Sequence, residues 1–401
     1  MSLTRLPVIA DDPYGPEAMR DPHPLYARMR EAGPLVYLEK YGAVASCRYD
    51  VVREALLDWR SFTSARGVGL ADLKDAKRWP GLKPSGLVEQ DPPNHTVARA
   101  AIGRLFTPKM MRPLRAGIAA KADALVDSLL ERASFDAYED LAHAFVLSIV
   151  PDLIGVPELG RENMLPFSTL SIQASTSPHN DEVRRILGTA GPLREWIEIS
   201  SRRENLAPGG MGAMIWEMAD AGEIDDELAV KLIRALMTAG MDTTIYAIVN
   251  TVHSLLSFPE QWEALRENPS LARFVLDETL RYESVTQTIT RTVSADLGFC
   301  GAELPEGTKI ILFNAATGRD PRRWGGRADR YDLSEPSAGH LGLGFGIHQC
   351  VGQALAKMES EALFTALASK VQRLQPGDGE RRILGIAPLR SWTRLPVAIA
   401  A

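Results

Sequence analysis

Apolar positions recur at spacings of three and four over most of this chain, the period of a helix with one buried face. The pattern predicts helices over residues 22–33, 110–132, 141–154, 182–203 and 225–257, and hence a mainly α protein with small β-sheets. Two stretches break the period. In GPLVYLEKYGAVASCRY, β-branched and aromatic residues flank a turn at 40–42, which reads as a hairpin. LGFCGAELPEGTKIILF reads as a second hairpin, punctuated at 305–307. The segment 225–257 is apolar nearly all round, as expected of a helix that crosses the interior. Residues 64–93 are rich in Gly, Pro and Lys without a period, too long for an ordinary connection, and are expected to form a substrate loop. With no repeat and no linker, a single domain over 1–401 is the simplest organisation.

Composition narrows the function. Across 401 residues, 45% are apolar and 24% charged, an ordinary globular mixture. A net charge of -6 argues against nucleic acid as a partner. No apolar run approaches the roughly 18 residues that span a bilayer, and the first residues lack a signal-peptide core. A cytoplasmic protein without a membrane partner is expected. Cys47, Cys300 and Cys350 are too few and too scattered for a disulfide framework or a paired-cysteine zinc site. One of them remains available as a cofactor ligand.

Cys350 stands in HLGLGFGIHQCVG, ahead of the helical run QALAKMESEALFTALASKV. Glycines at 342, 344, 346 and 352 let the backbone turn sharply and approach a flat macrocycle closely. At the start of a helix, free amides and the dipole stabilise a thiolate, the form that binds metal. An isolated cysteine in a glycine-rich turn is most often a small buried side chain; here the whole spacing carries the ligand reading. A second unusual stretch is Ala239-Gly240-Met241-Asp242-Thr243-Thr244, in the middle of the buried helix. An interior glycine costs ~1 kcal/mol relative to alanine, which invites a functional reason. The small pair admits a ligand against the helix, and a threonine hydroxyl can bond back to a preceding carbonyl and loosen the ladder.

These residues together resemble the cytochrome P450 family, whose ligand loop runs aromatic, Gly, x, Gly, x, basic, x, Cys, x, Gly. Gly344, Gly346, His348, Cys350 and Gly352 match, while Leu343 replaces the family's usual Phe. The resemblance covers essentially the whole chain. It implies the P450 fold, haem b held by Cys350, and monooxygenase activity using O2. It also implies that Asp242 supplies protons while Thr243 steadies dioxygen and its water. His95 and Arg99 in DPPNHTVAR, with Arg291 and His348, would hold the propionates. Glu278 and Arg281 in DETLRYES would form a buried pair completed by Arg330, a structural role.

The chain holds no flavin fingerprint or cysteine cluster, so electrons are expected from a ferredoxin and its reductase, met by Lys109, Arg112, Arg115 and Lys357. RGVGLADLK, DPPNHT and NLAPGGMGA resemble bacterial P450s that oxidise para-substituted benzoates and related methoxyaromatics. That likeness implies a pocket of Ile172, Ser175, Ala235, Thr238, Ala239, Val285 and Ile289, with the loop 66–88. Ala235 is apolar, and Lys83 with Ser85 matches the family's carboxylate donors only in part. A neutral 4-alkyl methoxyphenol is therefore expected ahead of a benzoic acid. A peroxide-using haem enzyme and a haem gas sensor are the readings of another class.

Overall fold

The structure is a computed structural model that describes residues 5–75, 84–132, 134–176, 185, 188–384 and 388–400. Seven helices position the site: α1 (Asn94–Gly103), α2 (Leu114–Leu130), α3 (Met164–Thr176), α4 (Asp226–Ala239), α5 (Asp242–Ser257), α6 (Ala272–Tyr282) and α7 (Gln353–Lys370). α7 packs on α2 and α6, and α3 packs on α4. The start of α4 is fixed locally: Asp225 accepts from the Leu228 N–H at 2.7 Å, and Asp226 and Glu227 meet the positive end of the dipole. Its buried stripe is Ala229, Leu232, Ile233, Leu236 and Met237. Beyond it, α5 buries residues on every side, including Asp242, Asn250 and Thr251.

Asp226–Ser257 is long and apolar enough to cross a membrane by length and composition, contrary to the expectation that no run comes near this. However, 67% of its most apolar window is buried inside the protein, where apolar character on all faces is what core packing requires.

The helix expected over 225–257 is interrupted at Gly240 and Met241. That expected over 141–154 is broken too: Ala137–His143 winds as a π-helix, followed by Ala144–Leu147 and Val150–Ile154. Within 110–132, Pro113 separates Pro108–Met111 from α2. Of 182–203, Gly191–Ser200 is helical and much of the remainder lies outside the described residues.

The largest sheet runs Val8–Ile9, Val36–Leu38, Ala43–Ser46, Lys309–Leu312, Ile289–Val293, Phe62–Thr63. Its first hairpin turns at Gly42 as expected. The chain does turn at 305–307, where Thr308 N–H donates to Pro305 O at 3.1 Å, but the second hairpin closes elsewhere. Leu297–Phe299 pairs with Ala302–Leu304 across Cys300 and Gly301, whose φ values of 49° and 78° suit the tight turn that matches strand twist. Lys309–Leu312 instead enters the large sheet between Ala43–Ser46 and Ile289–Val293. From that strand Lys309 Nζ donates to the carbonyls of Arg66 at 3.0 Å, Gly69 at 3.3 Å and Ala71 at 2.9 Å. Burial pushes this ammonium down to about 8, and Thr290 N–H adds a bond to Val68 O at 3.0 Å. The first part of the expected substrate loop is thus stitched to the sheet.

Candidate functional site

The segment before α7 forms a tight half-buried loop. Cys350 N–H donates to Leu343 O at 2.9 Å and Gly344 N–H to Leu341 O at 3.0 Å. Gly344 and Gly346 have φ of 71° and 72°, left-handed backbone that favours glycine. At Gly346 a Cβ would also stand 2.7 Å from Leu56 O. Gly352 has no such constraint, since a Cβ there would meet Phe106 only at 3.9 Å. The Cys350 thiol is buried, which raises its pKa, while the N–H groups of Gly352 and Gln353 and the charge of Arg99 favour the thiolate. Cys350 therefore sits before α7 with amides aimed at its sulfur.

Next to this loop four basic groups converge. His95 and His348 stack edge to face with centroids 4.4 Å apart. The Nε2 atoms of both are buried without a hydrogen-bond partner. Arg291 is 3% exposed, and burial pushes its pKa down to about 10. Arg99 is likewise lowered by burial, and its charge is felt by His95, His348 and Cys350. The nearest compensating carboxylate is Asp91, 4.0 Å from His348 Nε2 and too far for a hydrogen bond. Buried cations and imidazoles with so little anionic compensation are a receptor for an anion. A macrocycle with two propionates meets that need, so the residues fit haem b.

The interruption between α4 and α5 is the third component. A helix end leaves its last carbonyls without intrahelical donors, and here hydroxyls supply them. Thr243 Oγ1–H donates to Ala239 O at 2.9 Å, and Ser168 Oγ–H donates to Thr238 O. Asp242 is buried, accepts from Thr169 Oγ1–H at 2.8 Å on Oδ2, and has no partner for Oδ1. Desolvation pushes its carboxyl up to about 6, against the hydroxyl bonds that favour ionisation. Ala235, Thr238 and Thr243 are half-buried and Ala239 is exposed, so this side of the junction between α4 and α5 is open.

The descriptive family model named Cytochrome P450 matches residues 198–383. Cytochrome P450 CYP199A2 of Rhodopseudomonas palustris is 41% identical over 98% of this chain and 95% of its own length. The chain belongs to the cytochrome P450 family. Haem b is therefore the prosthetic group, and the enzyme is a monooxygenase. Cytochrome P450 107B1 of Saccharopolyspora erythraea is 30% identical over 94% of the chain and 95% of its length. The epothilone D-bound cytochrome P450epoK structure superposes with a TM-score of 0.87 at 25% identity, covering 98% of this chain and 100% of that one. Bacterial P450s of this kind receive electrons from a ferredoxin and its reductase and use O2.

In this P450 Glu278 and Arg281 form a bidentate pair, both bonds 2.7 Å, at 1% and 0% exposure. The third basic group is Arg327, with Nη2 3.6 Å from Glu278 Oε2, and not Arg330. Arg330 is exposed and contributes its backbone carbonyl to Arg281. The substitution follows from the turn Gly325–Arg327, which brings residue 327 over the pair. Of the expected pocket positions, Ile172 and Ile289 are half-buried and Val285 is buried in the core. The Ser175 side chain and Lys83 lie outside the described residues. Sequence reasoning missed Asp91, Thr169 and Asp277. Asp91 opens DPPNHT, so its place beside the histidines had a signal. Asp277 anchors the ligand loop by accepting from Lys357 at 2.9 Å and lying 3.2 Å from His340.

Proposed function

We propose that this P450 removes the methyl group of a small methoxyaromatic, with a neutral 4-alkyl methoxyphenol as the preferred substrate. The observation that carries the reading is the open face of small residues, Ala235, Thr238 and Ala239, running to Thr243. Small side chains at 235, 238 and 239 leave room there for a flat ring. The partly buried Ile172 and Ile289 add apolar wall.

Cys350 would ligate iron while His95, Arg99, Arg291 and His348 hold the propionates, between the glycine turns at Gly344 and Gly352. Bound there, haem supplies a thiolate-ligated iron at which dioxygen is activated. Asp242 would hold a proton at neutral pH in part of the population and pass it toward Thr243, whose Oγ1, its hydrogen given to Ala239 O, can accept a bond from a water there. The balance takes substrate, O2, two electrons and two protons to hydroxylated substrate and water. A hydroxyl on the methoxy carbon makes a hemiacetal, which collapses to formaldehyde and a catechol.

One observation favours an acid substrate instead. Arg234, next to Ala235, is half-buried, has a buried Nε without a partner and is lowered by desolvation. Ser85 offers less, because its Oγ already accepts from Val88 N–H at 3.1 Å. An alkyl tail gains ~0.8 kcal/mol per buried methylene, whereas an ionised carboxylate needs donors to replace its water. Parallel spin-state titrations with 4-methoxybenzoate and 4-ethyl-2-methoxyphenol, with formaldehyde measured for each, decide between them. Tighter binding and better-coupled demethylation of the benzoate overturn the neutral reading.

For the electron donor, Lys109 and Arg112 are exposed and remain available to an acidic ferredoxin. Arg115 and Lys357 are engaged with Glu361 at 3.0 Å and Asp277 at 2.9 Å, which narrows the basic patch to the first two. The same reading keeps one P450 domain over the chain, working in the cytoplasm.

A further inference from the structure

Among the described residues no cation holds the acid at the start of α5, and no ion pair engages Asp242; the groups facing it are hydroxyls. Thr169 and Ser168 approach from α3, Tyr246 lies one turn along α5, and Tyr138 comes from the π-helix Ala137–His143. The two phenol rings stack with centroids 6.2 Å apart, and both sense the carboxylate charge.

Two adjacent hydroxyls of α3 therefore clasp the interruption. Ser168 takes the Thr238 carbonyl, four positions before the acid, and Thr169 takes Asp242 Oδ2 at 2.8 Å. Oδ1 is buried without a partner, so the hydrogen bond from Thr169 is what fixes how the carboxyl is turned. Thr169 thus sets the orientation of the carboxyl. It also lies one turn before Ile172 on the same helix, so movement of α3 on substrate binding is movement of the hydroxyl that fixes the acid.

We propose that Thr169 is a positioning residue for proton delivery, holding Asp242 through its hydroxyl and coupling the acid's aim to the helix that carries Ile172. This rests on the reading of Asp242 as the proton source. No bond to substrate forms at Thr169, and its own proton stays on Oγ1.

The test compares holoprotein carrying Thr169→Val, Thr169→Ser and Asp242→Asn, supplied with redox partners and the two methoxyaromatic probes named above. Thr169→Val keeps the shape and removes the donor. It is expected to lower turnover and formaldehyde per electron pair roughly tenfold, the worth of one hydrogen bond to an ionised group. The solvent deuterium effect should rise while the substrate dissociation constant stays as in the wild type, and Thr169→Ser should restore the rate. A second readout needs no turnover: the effect of Asp242→Asn on the unfolding midpoint, followed against pH. In the Thr169→Val background that curve should move to higher pH, because the lost donor favoured the carboxylate. If Asp242→Asn is slow but Thr169→Val matches the wild type in rate and in the pH curve, the role of Thr169 is overturned alone. Equal losses in the Val and Ser variants overturn it as well. Wild-type turnover in Asp242→Asn overturns the proton-source reading beneath it.

Discussion

At the scale of single residues, the chemistry depends on which form each group adopts inside the protein. Cys350 lies under opposing influences, with burial favouring the thiol and two amides and Arg99 favouring the thiolate. A hydroxyl is a far poorer anionic donor at neutral pH, so Cys350→Ser is expected to abolish the thiolate-type carbon monoxide difference band; an unchanged band refutes the ligand assignment. Asp242 makes a stability claim as well. The folded protein binds its proton more tightly than the unfolded chain, so its contribution is whole below pH 3.8 and is lost as pH rises through about 6. Removing the charge with Asp242→Asn should therefore gain about 3 kcal/mol relative to the wild type at pH 8 and little at pH 4, an upper figure from the size of the shift. Denaturant unfolding at the two pH values checks it; a pH-independent difference contradicts the origin in desolvation. Cys350, the glycines and the acid-alcohol pair were legible because their chemistry is written in adjacent positions. Thr169 was not, since its partner is 73 positions away and a threonine on a helix carries no mark of its task. The expected third base is Arg330 and the structure supplies Arg327, because two nearby arginines differ only in how a turn aims them.

Elements were legible where one period ran uninterrupted, as in α2, α6 and α7. The pattern failed where hydrogen bonding changes without a change in apolar spacing. The π-helix Ala137–His143 and the interruption at Gly240 and Met241 both keep helical spacing across an altered ladder. The misplaced hairpin has another cause: Cys300 is an unusual residue for left-handed backbone, so the Pro and Gly at 305–307 gave the stronger turn signal. In the ligand loop, close approach and left-handed backbone coincide at Gly346. Gly346→Ala should cost about 1–3 kcal/mol and displace the loop from Leu56. Haem retention during thermal unfolding measures it, with Gly352→Ala, which meets no protein atom closer than 3.9 Å, as the comparison. Equal haem loss in the two variants would show that the Leu56 contact is not limiting.

Across the whole molecule, the buried pair Glu278–Arg281 joins parts of the chain that local pattern does not connect. Arg281 donates to the carbonyls of Gly318 at 2.6 Å, Ala328 at 3.4 Å and Arg330, while Glu278 accepts from Asp332 N–H at 2.7 Å and from Ser337. The segment leading into the ligand loop is thus hung on one side of α6. At Gly318 a Cβ would collide with Arg281 O at 1.7 Å, so the approach is as close as backbone permits. Arg281→Ala strands the carboxylate at roughly 3–5 kcal/mol and is expected to prevent accumulation of folded holoprotein. Normal haem uptake and an unchanged unfolding midpoint would show the pair to be superficial.

Lys309 has a consequence of another kind. Three carbonyl oxygens closing on one positive charge are part of the kind of oxygen shell that alkali ions take, yet this cation is a side chain and cannot diffuse away. The loop it gathers is therefore expected not to depend on which small cation surrounds it. Exchanging potassium for sodium or choline at constant ionic strength should leave the wild-type substrate titration unmoved. Lys309→Met, by contrast, empties the shell of charge, and substrate affinity should fall in choline and recover in part with the alkali ion that best fits the vacated oxygens.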